Sequence, residues 1–158
     1  MTTGREHRYS LRLDWEGNRG SGTSNYTAYG REHKFSAPGK TPIAGSADPM
    51  FRGDPARWNP EELLVASLAS CHQLWYLHLA ADAGIVVIAY HDQPAGTMVE
   101  DAARGGWFTR VVLKPVVTIR DGDDVALATS LHQRAHHMCF IANSVDFDVL
   151  VEPTIRSA

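Results

Sequence analysis

Little in this chain is built to meet nucleic acid, a bilayer or an oxidising compartment. Lys and Arg total 15 against 18 Asp and Glu, for a net charge of -3, and the basic residues form no stripe with interleaved aromatics. A phosphate backbone would find no electrostatic footprint, so no nucleic-acid partner is expected. No apolar run approaches the ~18 to 20 residues that cross a bilayer. The opening Met1-Thr-Thr-Gly-Arg-Glu-His-Arg has no apolar signal core behind its charges. No membrane partner is expected, and a cytoplasmic location is. Cysteine is scarce too: there are two, with no CxxC, and neither an internal repeat nor a low-complexity tract is present. In a reducing compartment two cysteines serve redox or metal chemistry more readily than a structural staple.

What is present suits one folded α+β domain over residues 1–158. Hydrophobic residues make up 44% and charged residues 21%, which excludes a disordered chain. Residues 1–7 are expected to be mobile. Tyr9, Leu11, Leu13 and Trp15 alternate along one face of a strand. The glycine-rich turn Glu16–Gly22 then leads into a second strand between Asn25 and Phe35. Residues 36–58, with four prolines, read as a long loop. Asn59-Pro60-Glu61-Glu62 is a helix start, with a capping amide, proline at the first helical position and two carboxylates at the positive end of the dipole. The apolar helix that follows runs to about Ala83, with Gly84 as its terminator. Strands are expected at Ile85–His91, Thr97–Glu100 and Phe108–Ile119, where Pro115 suggests an edge or a bulge. A second helix runs from Asp121–Asp124 to about His137, and Asp146–Ile155 closes the chain as a strand.

The two cysteines carry the chemical interest. Cys71 lies deep in the first helix and Cys139 just after the second. A thiolate is a nucleophile toward peroxide, and a second thiol can resolve the oxidised sulfur as a disulfide. Arg52 and Arg57 lie upstream, where a guanidinium favours a thiolate. Plainer readings stand beside this one. Cys71 can be an inert core residue and Cys139 an inert helix cap. His132, His136 and Cys139 fall on one helical face and, with Cys71, could bind zinc. His72, His78 and His137 fit surface or core positions, Trp75 and Tyr76 fit either core or the wall of an apolar pocket, and Asn143 and Ser144 suit a turn. Glu61 lies ten residues before Cys71, roughly 15 Å along a straight helix. The two can share a site only through a helix break or a second copy of the chain.

The run Asn59-Pro-Glu-Glu-Leu-Leu-Val-Ala-Ser-Leu-Ala-Ser-Cys71, with His136-His-Met-Cys139 after a second helix, resembles the OsmC/Ohr family of thiol-dependent hydroperoxide reductases. The resemblance implies an α+β fold with antiparallel sheets packed around two main helices. It also implies an intertwined homodimer with two sites at its interface. It makes Cys71 the peroxidatic thiol and Cys139 its resolving partner, with Glu61 holding an arginine. Arg52 is the first choice for that arginine, followed by Arg57 and by Arg19 in the glycine-rich turn. The implied reaction reduces organic, fatty-acid-type hydroperoxides to alcohols without cofactor or metal, and a lipoyl-type or thioredoxin-type dithiol regenerates the enzyme. A non-catalytic protein binding a small ligand or a metal is the alternative on the same fold. Phe140 stands where many members have proline, and Trp75-Tyr76 and the 36–58 segment point to a less characterised branch.

Overall fold

Short strands at the amino end give way to a long helix. The computed structural model describes residues 4–158, so residues 1–3 of the segment expected to be mobile lie outside the described residues. The chain divides into two compact units, Met1–Leu63 and Leu64–Ala158.

In the first unit, β1 (Arg12–Trp15), β2 (His33–Ser36) and β3 (Ile43–Gly45) form an antiparallel sheet in that order. The second strand is shorter than expected, because the chain from Glu16 to Glu32 is folded into turns. The Asn18 side chain accepts from the amides of Gly20 and Gly22, and the Gly30 amide donates to the Gly17 carbonyl. The expected loop over 36–58 contains β3 and a 3-10 turn at Pro49–Phe51. Ile-Ala-Gly is too short to show a two-residue period, which hid the strand. The first strand begins at Arg12, so Tyr9 and Leu11 precede it, and Tyr9, Leu11, Leu13 and Trp15 stand 91%, 66%, 59% and 46% exposed. An apolar strip that open calls for a covering surface.

Helix α1 (Pro60–Asp82) starts with a reciprocal capping box: the Glu62 amide donates to Asn59 Oδ1 at 2.8 Å, and the Asn59 amide donates to Glu62 Oε2 at 3.2 Å. That commits Glu62 to the cap and leaves Glu61 outside it. The helix runs without a break to its glycine end, where Gly84 has φ 75 and the Ile85 amide returns to the Ala80 carbonyl at 2.9 Å.

The second unit continues with β4 (Val87–His91), β5 (Ala95–Asp101), β6 (Gly105–Leu113), β7 (Val116–Ile119), α2 (Val125–Met138), β8 (Asp148–Val151) and β9 (Thr154–Ser157). Its sheets run β4-β7-β9 and β5-β6-β8. β4 pairs antiparallel with β7 and β5 with β6, as expected, but β8 lies parallel to β6 and β9 parallel to β7, because α2 carries the chain back before it re-enters. Leu113 pairs with Val151 and Val116 with Thr154, so Pro115 and Pro153 fall opposite each other. Neither proline can donate to a ladder. Both strands therefore bend together there and pass from one sheet to the other, in place of the edge or bulge expected at Pro115. α1 meets both resulting cores. Leu68 packs with Val111 and Leu113, while Tyr76, Leu79 and Ala80 pack with Val117, Ile119, Ala128, Leu131 and Ala135. Cys71 lies between those two stretches of the helix.

Candidate active site

α1 and the end of α2 bring two reduced thiols together. Cys71 is half-buried and Cys139, the carboxyl-terminal cap of α2, is 1% exposed. Burial first, and then the neighbouring Cys71 thiol, push the Cys139 thiol up to about 11, against the Ala142 amide, which donates to Cys139 Sγ at 3.4 Å. Cys139 therefore keeps its proton at pH 7. Asn143 and Ser144 brace the turn beyond it, Asn143 Nδ2 donating to the His137 carbonyl at 3.0 Å and Ser144 Oγ to that of Phe140 at 2.7 Å. Trp75, one turn after Cys71, meets Phe140 edge to face with ring centroids 5.5 Å apart. Each thiol thus has one member of an aromatic pair close to it in sequence. Tyr76 points the other way, fully buried, with its hydroxyl donating to the Ala128 carbonyl at 3.0 Å.

Two imidazoles are buried beside this pair. His72 and His132 are 0% and 2% exposed and share a 2.9 Å hydrogen bond between Nε2 of His72 and Nδ1 of His132. Burial holds His72 down at about 4, helped by His136, and holds His132 at about 3, helped by His72. Both are neutral at pH 7. His132, His136 and Cys139 do share a face of α2, but among the described residues no three His, Cys, Asp or Glu side chains are grouped to hold a metal ion.

Buried neutral histidines make the fold acid-sensitive. In the unfolded chain these imidazoles take up protons near the ordinary 6.5, whereas in the folded chain they stay neutral to about 4 and 3. The unfolded state binds more protons, so stability rises with pH and is lost on acidification. Between pH 7 and 5.5 the pair should cost about 2 kcal/mol, read as a falling urea midpoint. His72→Gln with His132→Asn should flatten that slope. An equally steep slope in the double variant would remove the pair as its source.

The first unit holds the candidate guanidinium groups. Arg52, the first choice from sequence, is exposed, has φ 65 and closes the 3-10 turn through its amide. Arg57 pairs with Glu16 at 3.5 Å and Asp54 at 3.8 Å, and Arg19 pairs with Glu32 at 3.3 Å. Glu61 lines a cavity of about 230 Å³, and the arginine lining it too is Arg31, together with His33, Ser46 and Asp48. Arg31 donates from Nη1 to the Tyr29 carbonyl at 2.6 Å and from Nη2 to the Tyr26 carbonyl at 2.8 Å. Its guanidinium carbon lies 4.5 Å from the Tyr26 ring centroid and 4.1 Å from that of Tyr29. Among the described residues no carboxylate pairs with it, and three of its five N–H groups remain free of these bonds. Sequence reasoning passed over it, although Tyr26-Thr-Ala-Tyr29-Gly-Arg31 places two aromatics at stacking range of one cation.

The family model described as OsmC-like protein matches residues 53–154. An OsmC-like protein of unknown function from Vibrio cholerae superposes with a TM-score of 0.84 at 31% identity, over 94% of this chain and 99% of that one. An organic hydroperoxide resistance protein from Legionella pneumophila superposes at 0.66 with 18% identity, over 96% and 99% of the two chains. One from Elizabethkingia anophelis, with thiocyanate bound, superposes at 0.67 with 16% identity, over 98% and 100%. At those identities the last two share the fold. A comparison with curated proteins returned no match. The family model and the Vibrio relative together show that the chain belongs to the OsmC-like family.

Proposed function

We propose that the protein is a thiol-dependent peroxidase that reduces organic hydroperoxides to alcohols. The contact between Cys71 and Cys139 carries this reading. The Cys71 thiolate attacks one peroxide oxygen, the O–O bond breaks, and the departing alkoxide takes a proton to leave as alcohol. Cys71 is then a sulfenic acid. The Cys139 sulfur attacks it, an S–S bond forms as the S–O bond breaks, and the thiol proton leaves with the hydroxide as water. A lipoyl-type or thioredoxin-type dithiol reduces the disulfide. Trp75 and Phe140 offer apolar walls to the organic half of the substrate, and the two solved relatives named for organic hydroperoxide resistance point the same way.

The charged half of the site comes from Glu61 and Arg31, which takes the role first assigned to Arg52. Because α1 has no break, a second copy has to present them to Cys71. The exposed strip Tyr9–Trp15, with Leu74 at 66% and Phe140 at 62% exposure, supplies apolar surface for such a homodimer. Among the described residues no helix is long and apolar enough to cross a membrane.

The test is consumption of cumene hydroperoxide with dihydrolipoamide as donor. Turnover well above the protein-free rate is expected, with cumyl alcohol formed one for one. Consumption at the protein-free rate, with both thiols unchanged, would end the peroxidase reading.

A further inference from the structure

We propose that His72 and His132 are positioning residues for the redox pair, their shared hydrogen bond fixing the register of α1 against α2 in which Cys139 reaches Cys71. The proposal rests on reading these two cysteines as a redox pair, and it assigns a use to two side chains that the reaction itself does not touch.

Two rungs join the helices. His72 bonds His132 at 2.9 Å, and Tyr76, four residues further along α1, donates to the carbonyl of Ala128, four residues earlier on α2, at 3.0 Å. The rungs match an antiparallel pair of helices. The imidazole planes lie within 10° of each other with centroids 5.3 Å apart, little more than the hydrogen bond and two ring radii, so the bond runs in the plane of both rings. Tyr76 stacks on His132 with centroids 3.9 Å apart and planes 16° apart, which fixes the second ring. The remaining contact includes Leu131, Ala128 and Ala135, small or aliphatic side chains that would also tolerate a neighbouring register.

The bond is directional, and the consequence for sulfur is steep. Cys71 precedes His72 directly, and Cys139 caps the helix that carries His132. A slip of one turn moves a helix by ~5.4 Å, and a disulfide requires Cα atoms within about 7 Å. Losing the rung therefore lowers the effective concentration of one thiol at the other. Nδ1 of His72 and Nε2 of His132 are buried with no partner, so the bond between the rings is the one hydrogen bond that repays burying them.

The experiment equilibrates the full chain with oxidised and reduced glutathione at pH 7 and counts protein thiols. Two protein thiols lose two electrons to one glutathione disulfide, giving the Cys71–Cys139 bond and two glutathione thiols. His132→Phe keeps a ring against Tyr76 and removes the bond. It should lower the equilibrium constant at least tenfold, about 30 mV for this two-electron couple. His132→Asn, whose amide occupies the place of Nδ1, should stay within about threefold of the wild type. Val117→Ala, a cavity in the same core on β7, serves as a control for general destabilisation. A wild-type constant in His132→Phe, an equal loss in Val117→Ala, or no recovery in His132→Asn would each overturn the proposal. Should His132→Phe not fold, His72→Leu breaks the same bond from the other helix. The reading needs no peroxide, so a protein that fails to turn over hydroperoxide but shows this pattern loses the peroxidase function and keeps the positioning pair.

Discussion

Cys71→Ser should abolish hydroperoxide turnover, at least about a thousandfold, because a hydroxyl held at the same place is not ionised near pH 7 and cannot replace the thiolate. Cys139→Ser should behave differently. The first oxygen transfer does not use Cys139, so the variant should still consume about one equivalent of peroxide and then stop. Its sulfenic acid should persist, to be trapped by dimedone and read by mass. The wild type should show no such adduct and should lose both thiols together, since Cys139 lies beside Cys71. A Cys139→Ser protein that turns over as fast as the wild type with dihydrolipoamide would remove the resolving role. One that consumes nothing would mean that Cys139 acts in the first step.

How much of this was open to sequence depends on the range of the interaction. Helix α1 could be read almost residue by residue, because its cap, its amino-terminal proline and its glycine end are local. Asn59 and Glu62 satisfy each other's amides within one turn. The two cysteines were found for their chemistry and by resemblance, and their meeting depends on the fold bringing α1 and α2 together. The non-local features stayed hidden. Nothing near Pro115 announces that Pro153 will stand opposite it, so the local sequence fits an edge or a bulge as well as the shared bend. Nothing near His72 names His132 as its partner: His72 alone fits a surface or core position, and His132 fits a zinc-binding face with His136 and Cys139. Arg31 was lost for a related reason. The sequence from Asn25 to Phe35 reads as a strand, whereas the Arg31 side chain is fixed by carbonyls and rings of a turn.

The arginine assignment leads to the second large effect. Arg31→Met should lower the rate constant for the first peroxide equivalent by about 10²- to 10³-fold, the loss typical when a donor to developing negative charge is removed from a preorganised site. Arg52→Met should leave it nearly unchanged, as that side chain is exposed and does not line the Glu61 cavity. The same pair of positions tests whether the site is shared between copies. Mixed and refolded with Cys71→Ser, the Arg31→Met chain would form heterodimers in which one subunit supplies the thiol and the other the guanidinium. Random pairing restores about a quarter of the sites in a twofold-symmetric dimer. Activity rising from near zero toward that fraction is the expected result. Mixtures no more active than their parts would place Arg31 and Cys71 in one chain's site, and an inactive Arg52→Met would return the role to the arginine first chosen from sequence.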